Sequence, residues 1–254
     1  MSVKSFAYQL QNVDINNIAK SKYDLVVIDN EHTKQEISKL KPKKVIAYIS
    51  IGEAEDYRSY WKKEWKTKKP EWLGKENQEW KGNYTVKEFW NPAWWEITKS
   101  QLDEIIDKGY DGIAMDKVDV YIDLGDTLEL KLLMIDFVSK ISEYCKAKKP
   151  GFLIIAHNCS ELVKTSPYVD KIDGITQEDL VYDWNSDGKT GKRTSKDYYD
   201  SVVKNLKFAI SKGKQVFVIE YVSGSSYTKA SQLIKEFGGI SYSAPRDLGA
   251  IRYV

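Results

Sequence analysis

The chain has 254 residues, a length that suits one α/β barrel and is enough to bury a large core. Its 39 Lys and Arg nearly cancel its 37 Asp and Glu, so a formal charge of +2 gives no global pull toward nucleic acid or an anionic membrane. No apolar run approaches the ~18 residues that span a bilayer, and the opening MSVKSFAYQLQ lacks the charged-then-apolar layout of a secretory signal. A soluble chain is expected, with its compartment left open.

In chain order, eight β-branched and apolar runs bounded by polar or Gly/Pro breaks read as strands. They are FAYQLQ from Phe6, LVVIDN from Leu25, VIAYISIGEAE from Val45, GIAMDKVD from Gly112, LIIAHN from Leu153, GITQED from Gly174, VFVIEYV from Val216 and GISYSAP from Gly239. Several are continuous apolar runs, as expected of strands buried on both faces of a parallel sheet. Helix-period segments lie between them at 13–20, 33–41, 94–108, 127–148, 161–165, 195–212 and 228–237. Lys108-Gly109 and Lys212-Gly213 supply the basic last turn and left-handed glycine that end helices. Eight strand-then-helix units predict an α/β fold, a single (β/α)8 barrel over 1–254, whose last helix is short or missing because PRDLGAIRYV leaves little room.

Two connections are long. The one from Asp56 to Pro92 and the helix start after it hold Trp61, Trp65, Trp72, Trp80, Trp90, Trp94 and Trp95, seven of the eight tryptophans. The other, Leu180 to Thr194, is polar and contains glycine. Both follow strands, on the face where barrels build their sites. Aromatic faces stack on sugar rings and attract cations. Most of these tryptophans are nevertheless expected to form the insertion's own core, with one or two lining the cleft.

The strand ends carry the chemical signal. Asp29, Glu53 and Glu55, Asp116 and Asp119, His157 and Asn158, Glu178 and Asp179, and Glu220 close six consecutive strands. Carboxylates converging on a barrel mouth suit glycoside hydrolysis, in which one acts as acid and another as nucleophile or as base for water. The same acids could hold a divalent cation, or serve a barrel that binds carbohydrate without cleaving it. Metal ranks lower: HxH, HExxH and DxDxDG spacings are absent, and His32 and His157 lie on different strand ends. No cofactor is expected. The run SGSS at 223–226 lacks a Walker lysine, no GxSxG elbow occurs, and Cys145 and Cys159 have neither metal nor redox spacing and read as simple thiols.

Four blocks, YISIGEAEDYRSYW (48–61), WNPAWWEI (90–97), GYDGIAMDKVDVY (109–121) and GITQEDLVY (174–182), resemble the signature of the endo-α-1,4-polygalactosaminidase family, glycoside hydrolase family 114. The resemblance runs in order over most of the chain, to the SAPRDLG segment. It implies a barrel that cleaves within α-1,4-linked galactosamine polymers, acting alone as a monomer on a cationic polysaccharide or oligosaccharide, without nucleic acid or membrane, in a secreted or cell-surface setting. Carried over by position, it implies Asp116 as nucleophile and Glu178 as acid/base, with Tyr8, Asp29, Glu53, Glu55, Asp119, Asn158 and Glu220 around the substrate. Tyr242 and Arg246 join them as substrate-binding candidates, as does His157, which is expected to orient a carboxylate or bind a sugar hydroxyl rather than ligate a metal. The missing last helix departs from the expected pattern, and Glu220 stands as a rival nucleophile on the seventh strand.

Overall fold

The structure is a computed structural model and describes residues 3–184 and 191–252. The elements in chain order are β1 (Phe6–Gln9), α1 (Ile15–Lys20), β2 (Leu25–Ile28), α2 (Lys34–Lys39), β3 (Lys44–Ser50), β4 (Glu53–Glu55), β5 (Leu73–Glu76) and β6 (Asn83–Val86). Then come α3 (Pro92–Lys108), β7 (Gly112–Asp116), α4 (Val120–Asp123), α5 (Leu128–Lys148), β8 (Leu153–His157), α6 (Tyr168–Lys171), β9 (Gly174–Glu178), α7 (Lys196–Ser211), β10 (Gln215–Glu220), α8 (Gly224–Glu236) and β11 (Ile240–Ser243).

Eight strands form one parallel sheet in the order β1-β2-β3-β7-β8-β9-β10-β11. The sheet curls into a (β/α)8 barrel. Phe6 on β1 meets Phe217 on β10 at 4.9 Å and Tyr242 on β11 at 5.6 Å between ring centroids, so aromatic packing closes the seam. β1 and β2 are buried along their whole length. That explains why these strands read as continuous apolar runs rather than alternating ones.

The helices start and stop where side chains can satisfy free backbone groups. Asn91 accepts from the Ala93 N–H with Pro92 behind it, and Gly109 at φ 93° ends α3. Thr33 and Glu36 form a reciprocal capping box on α2, while Thr127 and Ser195 cap α5 and α7. The SGSS run opens α8 rather than a ligand loop.

The long apolar run after Val45 is two strands, not one. The chain breaks at Ile51-Gly52, where a Cβ on Gly52 would stand 2.3 Å from the Lys117 carbonyl oxygen. Past the break, β4, β6 and β5 form a three-stranded antiparallel sheet absent from the sequence reading. Beneath it Trp61, Trp65, Trp72 and Trp94 pack in a chain with centroid spacings of 5.3, 5.2 and 5.1 Å. These tryptophans form the insertion's own core, and Trp94 Nε1 also donates to the Ile51 carbonyl at 3.0 Å, tying the insertion to the barrel.

Among the described residues no helix follows β11. An extended tail crosses back to β1, where the Leu248 carbonyl accepts from the Leu10 and Gln11 N–H groups at 3.0 and 3.3 Å. Of the polar connection at 180–194, residues 185–190 lie outside the described residues. Cys145 and Cys159 are buried free thiols. Among the described residues no helix is long and apolar enough to cross a membrane.

Candidate active site

The C-terminal ends of the barrel strands surround a cavity of about 630 Å³, open to solvent under the edge of the antiparallel sheet. Tyr8, Asp29, Glu53, Glu55, Asp116, Asp119, His157, Asn158, Glu178 and Arg246 line it. The strand-end pattern singled out the acids, His157 and Asn158, and the family resemblance added Tyr8 and Arg246; the closed barrel brings them to one cavity.

Glu220 and Tyr242 are not in that lining. Glu178 on β9 is the register partner of Ile219 on β10, so the same-facing neighbours are Ile219 and, just past the end of β10, Tyr221, and Glu220 points the other way. It is fully buried, and its oxygens accept from the Val181 and Tyr182 N–H groups at 2.8 and 3.2 Å, anchoring the connection after β9. Burial pushes this carboxyl up to about 8 despite those bonds. Tyr242 is also fully buried; its ring stacks edge-on against Tyr23 and its hydroxyl accepts from the Arg252 N–H at 3.1 Å, fixing the tail.

Glu178 ends β9 among donors. His157 Nε2 lies 2.9 Å from Oε2, and Asn158 Nδ2 donates to the same oxygen at 3.1 Å. Tyr221 donates its hydroxyl to Oε1, and Arg246 stands 3.8 Å away. Burial opposes the charged form, but His157 and these hydrogen bonds outweigh it and hold the carboxyl at about 2. Asn158 also accepts from the Glu178 N–H at 3.0 Å, clamping the residue from both ends. Asp116 ends β7 and accepts from the Tyr48 hydroxyl and the Lys117 N–H, each at 2.7 Å. Immediately after these strand ends the backbone turns through left-handed residues: Lys117 at φ 57°, Asn158 at 59° and Asp179 at 48°. Such turns cost energy for non-glycine residues and recur where geometry serves a site.

Around this pair the acids divide by partner. Arg58 is spent on Glu55 and Asp29, with contacts of 2.8 Å to each. Glu53 is held by the carboxamides of Asn77 and Asn83 from the insertion, at 2.8 and 3.1 Å. Asp119, beside Lys117 at 3.5 Å, is raised by burial and by Asp116, with Lys117 opposing. The Tyr8 hydroxyl is buried and has no hydrogen-bond partner among the described residues, while its ring stands edge-on to His157 at 5.7 Å.

Several site residues lay outside the sequence reading: Tyr48, Arg58, Asn77, Asn83, Lys117 and Tyr221; of the insertion tryptophans, one or two of which were expected in the cleft, Trp80 lies on the cavity wall. Trp80 and Trp184 flank Arg246 at 5.8 Å each, with Tyr221 at 4.7 Å. Tyr48 and Arg58 fall inside the block that drew attention to Glu53 and Glu55, and Tyr221 adjoins Glu220. Among the described residues no group of three or more His, Cys, Asp or Glu side chains is arranged to hold a metal ion.

The sequence profile of glycoside hydrolase family GH114 matches residues 2–251. An uncharacterised protein of Methanocaldococcus jannaschii, MJ1477, is 40% identical over 241 residues, covering 88% of this chain and 68% of its own. An uncharacterised protein of Thermotoga maritima is 32% identical, covering 98% of this chain and 82% of its own. Among solved structures, the glycoside hydrolase domain of PelA from Pseudomonas aeruginosa superposes with a TM-score of 0.78 at 15% identity, covering 98% of this chain and 97% of that one. Ega3 of Aspergillus fumigatus, in complex with galactosamine, gives 0.78 at 20% identity over 100% and 96%. At these identities the structural likeness is one of fold.

Proposed function

The chain belongs to glycoside hydrolase family GH114, and on that footing we propose that it is an endo-acting, retaining hydrolase of α-1,4-linked, galactosamine-containing polysaccharide. The observation that carries the reading is the pair Asp116 and Glu178, brought by separate strands to one acidic cavity and each held by dedicated donors. Asp116, oriented by Tyr48 and the Lys117 N–H, attacks the anomeric carbon. Glu178 protonates the leaving oxygen, then activates the water that releases the glycosyl enzyme.

Glu53, Glu79, Asp116, Asp119 and Asp247 line the cavity together with Lys81, Lys117 and Arg246, so its field favours a cationic amino sugar over an acidic one. Galactosamine bound to Ega3, a protein of the same fold, supports the choice of sugar. Trp80 offers an aromatic face at the rim for a ring further along the chain, which suits an enzyme acting within a polymer.

The test is hydrolysis of soluble α-1,4-galactosamine oligomers, free and partly N-acetylated, by the parent and by Asp116→Asn, with products read by mass spectrometry and their first anomer by NMR. Shorter oligomers of retained anomer are expected from the parent, with loss of ~10³-fold or more in the variant. A folded parent that cleaves none of these oligomers overturns the reading.

A further inference from the structure

A general acid must carry a proton, yet the groups around Glu178 favour its ionised form. His157 shifts in the opposite sense: burial lowers its proton affinity, but Glu178, Asp116 and Asp119 raise it to about 9. Across the neutral range the two side chains therefore hold one proton between them, on the imidazole, 2.9 Å from the oxygen that needs it.

His157 closes β8 and is buried, and its Nδ1 is also buried with no hydrogen-bond partner among the described residues. An imidazolium kept only to brace the fold would use both of its N–H groups. Here one hydrogen bond, to Glu178, holds it. The charges around it are Asp116 from β7, Asp119 at the start of α4, Glu178 from β9 and, beside Glu178, Arg246 from the tail; Tyr8 and Tyr221 add neutral phenols from β1 and the end of β10.

We propose that His157 and Glu178 work as one protonic unit, in which His157 stores the proton that the departing sugar receives through Glu178. The proposal rests on Glu178 being the acid/base. As substrate displaces water, Nε2 gives its proton to Glu178 Oε2, leaving a neutral imidazole and a carboxylic acid. The acid passes the proton to the glycosidic oxygen as that oxygen's bond to the anomeric carbon breaks and Asp116 bonds to that carbon. In the second half a water oxygen bonds to the anomeric carbon, the bond to Asp116 breaks, and the water's proton returns through Glu178 to Nε2. One water is consumed and the unit is restored. His157 acts through Glu178 and needs no contact with the sugar.

Two histidines in the 254 residues, His32 and His157, make imidazole NMR of the protein readable site by site. His157 is expected to titrate near about 9, and in Glu178→Gln to fall by ~2 pH units or more as the buried ring loses its carboxylate. A His157 that titrates in the parent near an ordinary ~6.5 overturns the proposal without any substrate. In kinetics, the alkaline limb of kcat/KM in the parent follows the unit's last proton. In His157→Gln that limb moves ~2 pH units or more toward acid, and the rate loss is far smaller on substrates whose leaving group needs no proton. An unchanged limb in a folded His157→Gln overturns the store. If the folded parent cleaves no glycan, the functional reading falls, and the NMR titration still reports separately whether the pair shares one proton.

Discussion

Arg58→Ala removes the one guanidinium that holds two acids at the cavity wall. Arg58 is 4% exposed, with Nε 2.8 Å from Glu55, itself 2% exposed, and its other nitrogens 2.8 Å from both oxygens of Asp29, which is 21% exposed. Removing one partner of a buried ion pair costs ~3–5 kcal/mol, because the remaining charge has lost both water and counter-ion. Glu55 accounts for most of that here, since Asp29 can recover solvent. The cost should also depend on pH. Burial raises Glu55 even with Arg58 opposing it, so the folded carboxyl holds its proton more tightly than the unfolded one. Such a group favours the fold at low pH, and that contribution is lost as pH rises through the folded value. Without Arg58 the folded value climbs further, so the deficit should be fullest at about pH 7 and shrink toward about pH 4. Urea denaturation of the parent, Arg58→Ala, Glu55→Gln and the double variant measures it, with the double variant regaining part of the loss. A deficit below ~1 kcal/mol at neutral pH, or one equal at both pH values, would refute this account of the wall.

Glu220→Gln should keep kcat/KM within ~3-fold of the parent, because the carboxyl holds backbone N–H groups rather than substrate; a loss of ~10³-fold would return it to the reacting centre. Its folded value of about 8 lies above the unfolded ~4.3, so the parent should lose stability as pH rises between them, and the variant's stability profile, read by denaturation, should be flatter. Trp94→Phe should cost ~1–3 kcal/mol by orphaning the Ile51 carbonyl, and Trp94→Ala ~3–5 kcal/mol by opening the aromatic chain; equal melting curves for parent and alanine variant would contradict the packing.

The barrel was legible because its signals are local and repeated. Continuous apolar runs, most of them ending in carboxylates and separated by helix-period segments, repeat along the chain and match the barrel strands and the longer helices; the segment at 161–165 is instead a 3-10 turn, and the one-turn helices α4 and α6 carried no such signal. The insertion was less legible. Its strands, LGKE and NYTV, are short and mostly half-exposed, and their pairing is set by Glu53–Glu55 across a Trp-rich loop rather than by any pattern of their own. Tertiary contact with the tryptophans below overrides weak strand propensity there. The break at Gly52 was hidden for a related reason: a close approach to Lys117, distant in sequence, ends β3.

The site was legible in its acids and illegible in their partners. A carboxylate after an apolar strand announces its position by itself, but what it does depends on donors from other strands, and alternation decides which residue faces them. Tyr221 and Glu220 show this: one position apart, the tyrosine turns to Glu178 while the carboxylate turns to the backbone of the next connection. Glu178 and Asp179 show it again. Glu178 meets His157, Asn158 and Tyr221 and is held at about 2, whereas Asp179 has a buried oxygen with no partner among the described residues and is pushed to about 7 by burial and by Glu178 itself. Two adjacent acids thus shift in opposite directions, because the barrel supplies donors to Glu178 while Asp179 meets burial and the charge of Glu178. Residue type at a strand end therefore marks where chemistry can occur, and the register of neighbouring strands determines which acid holds the charge.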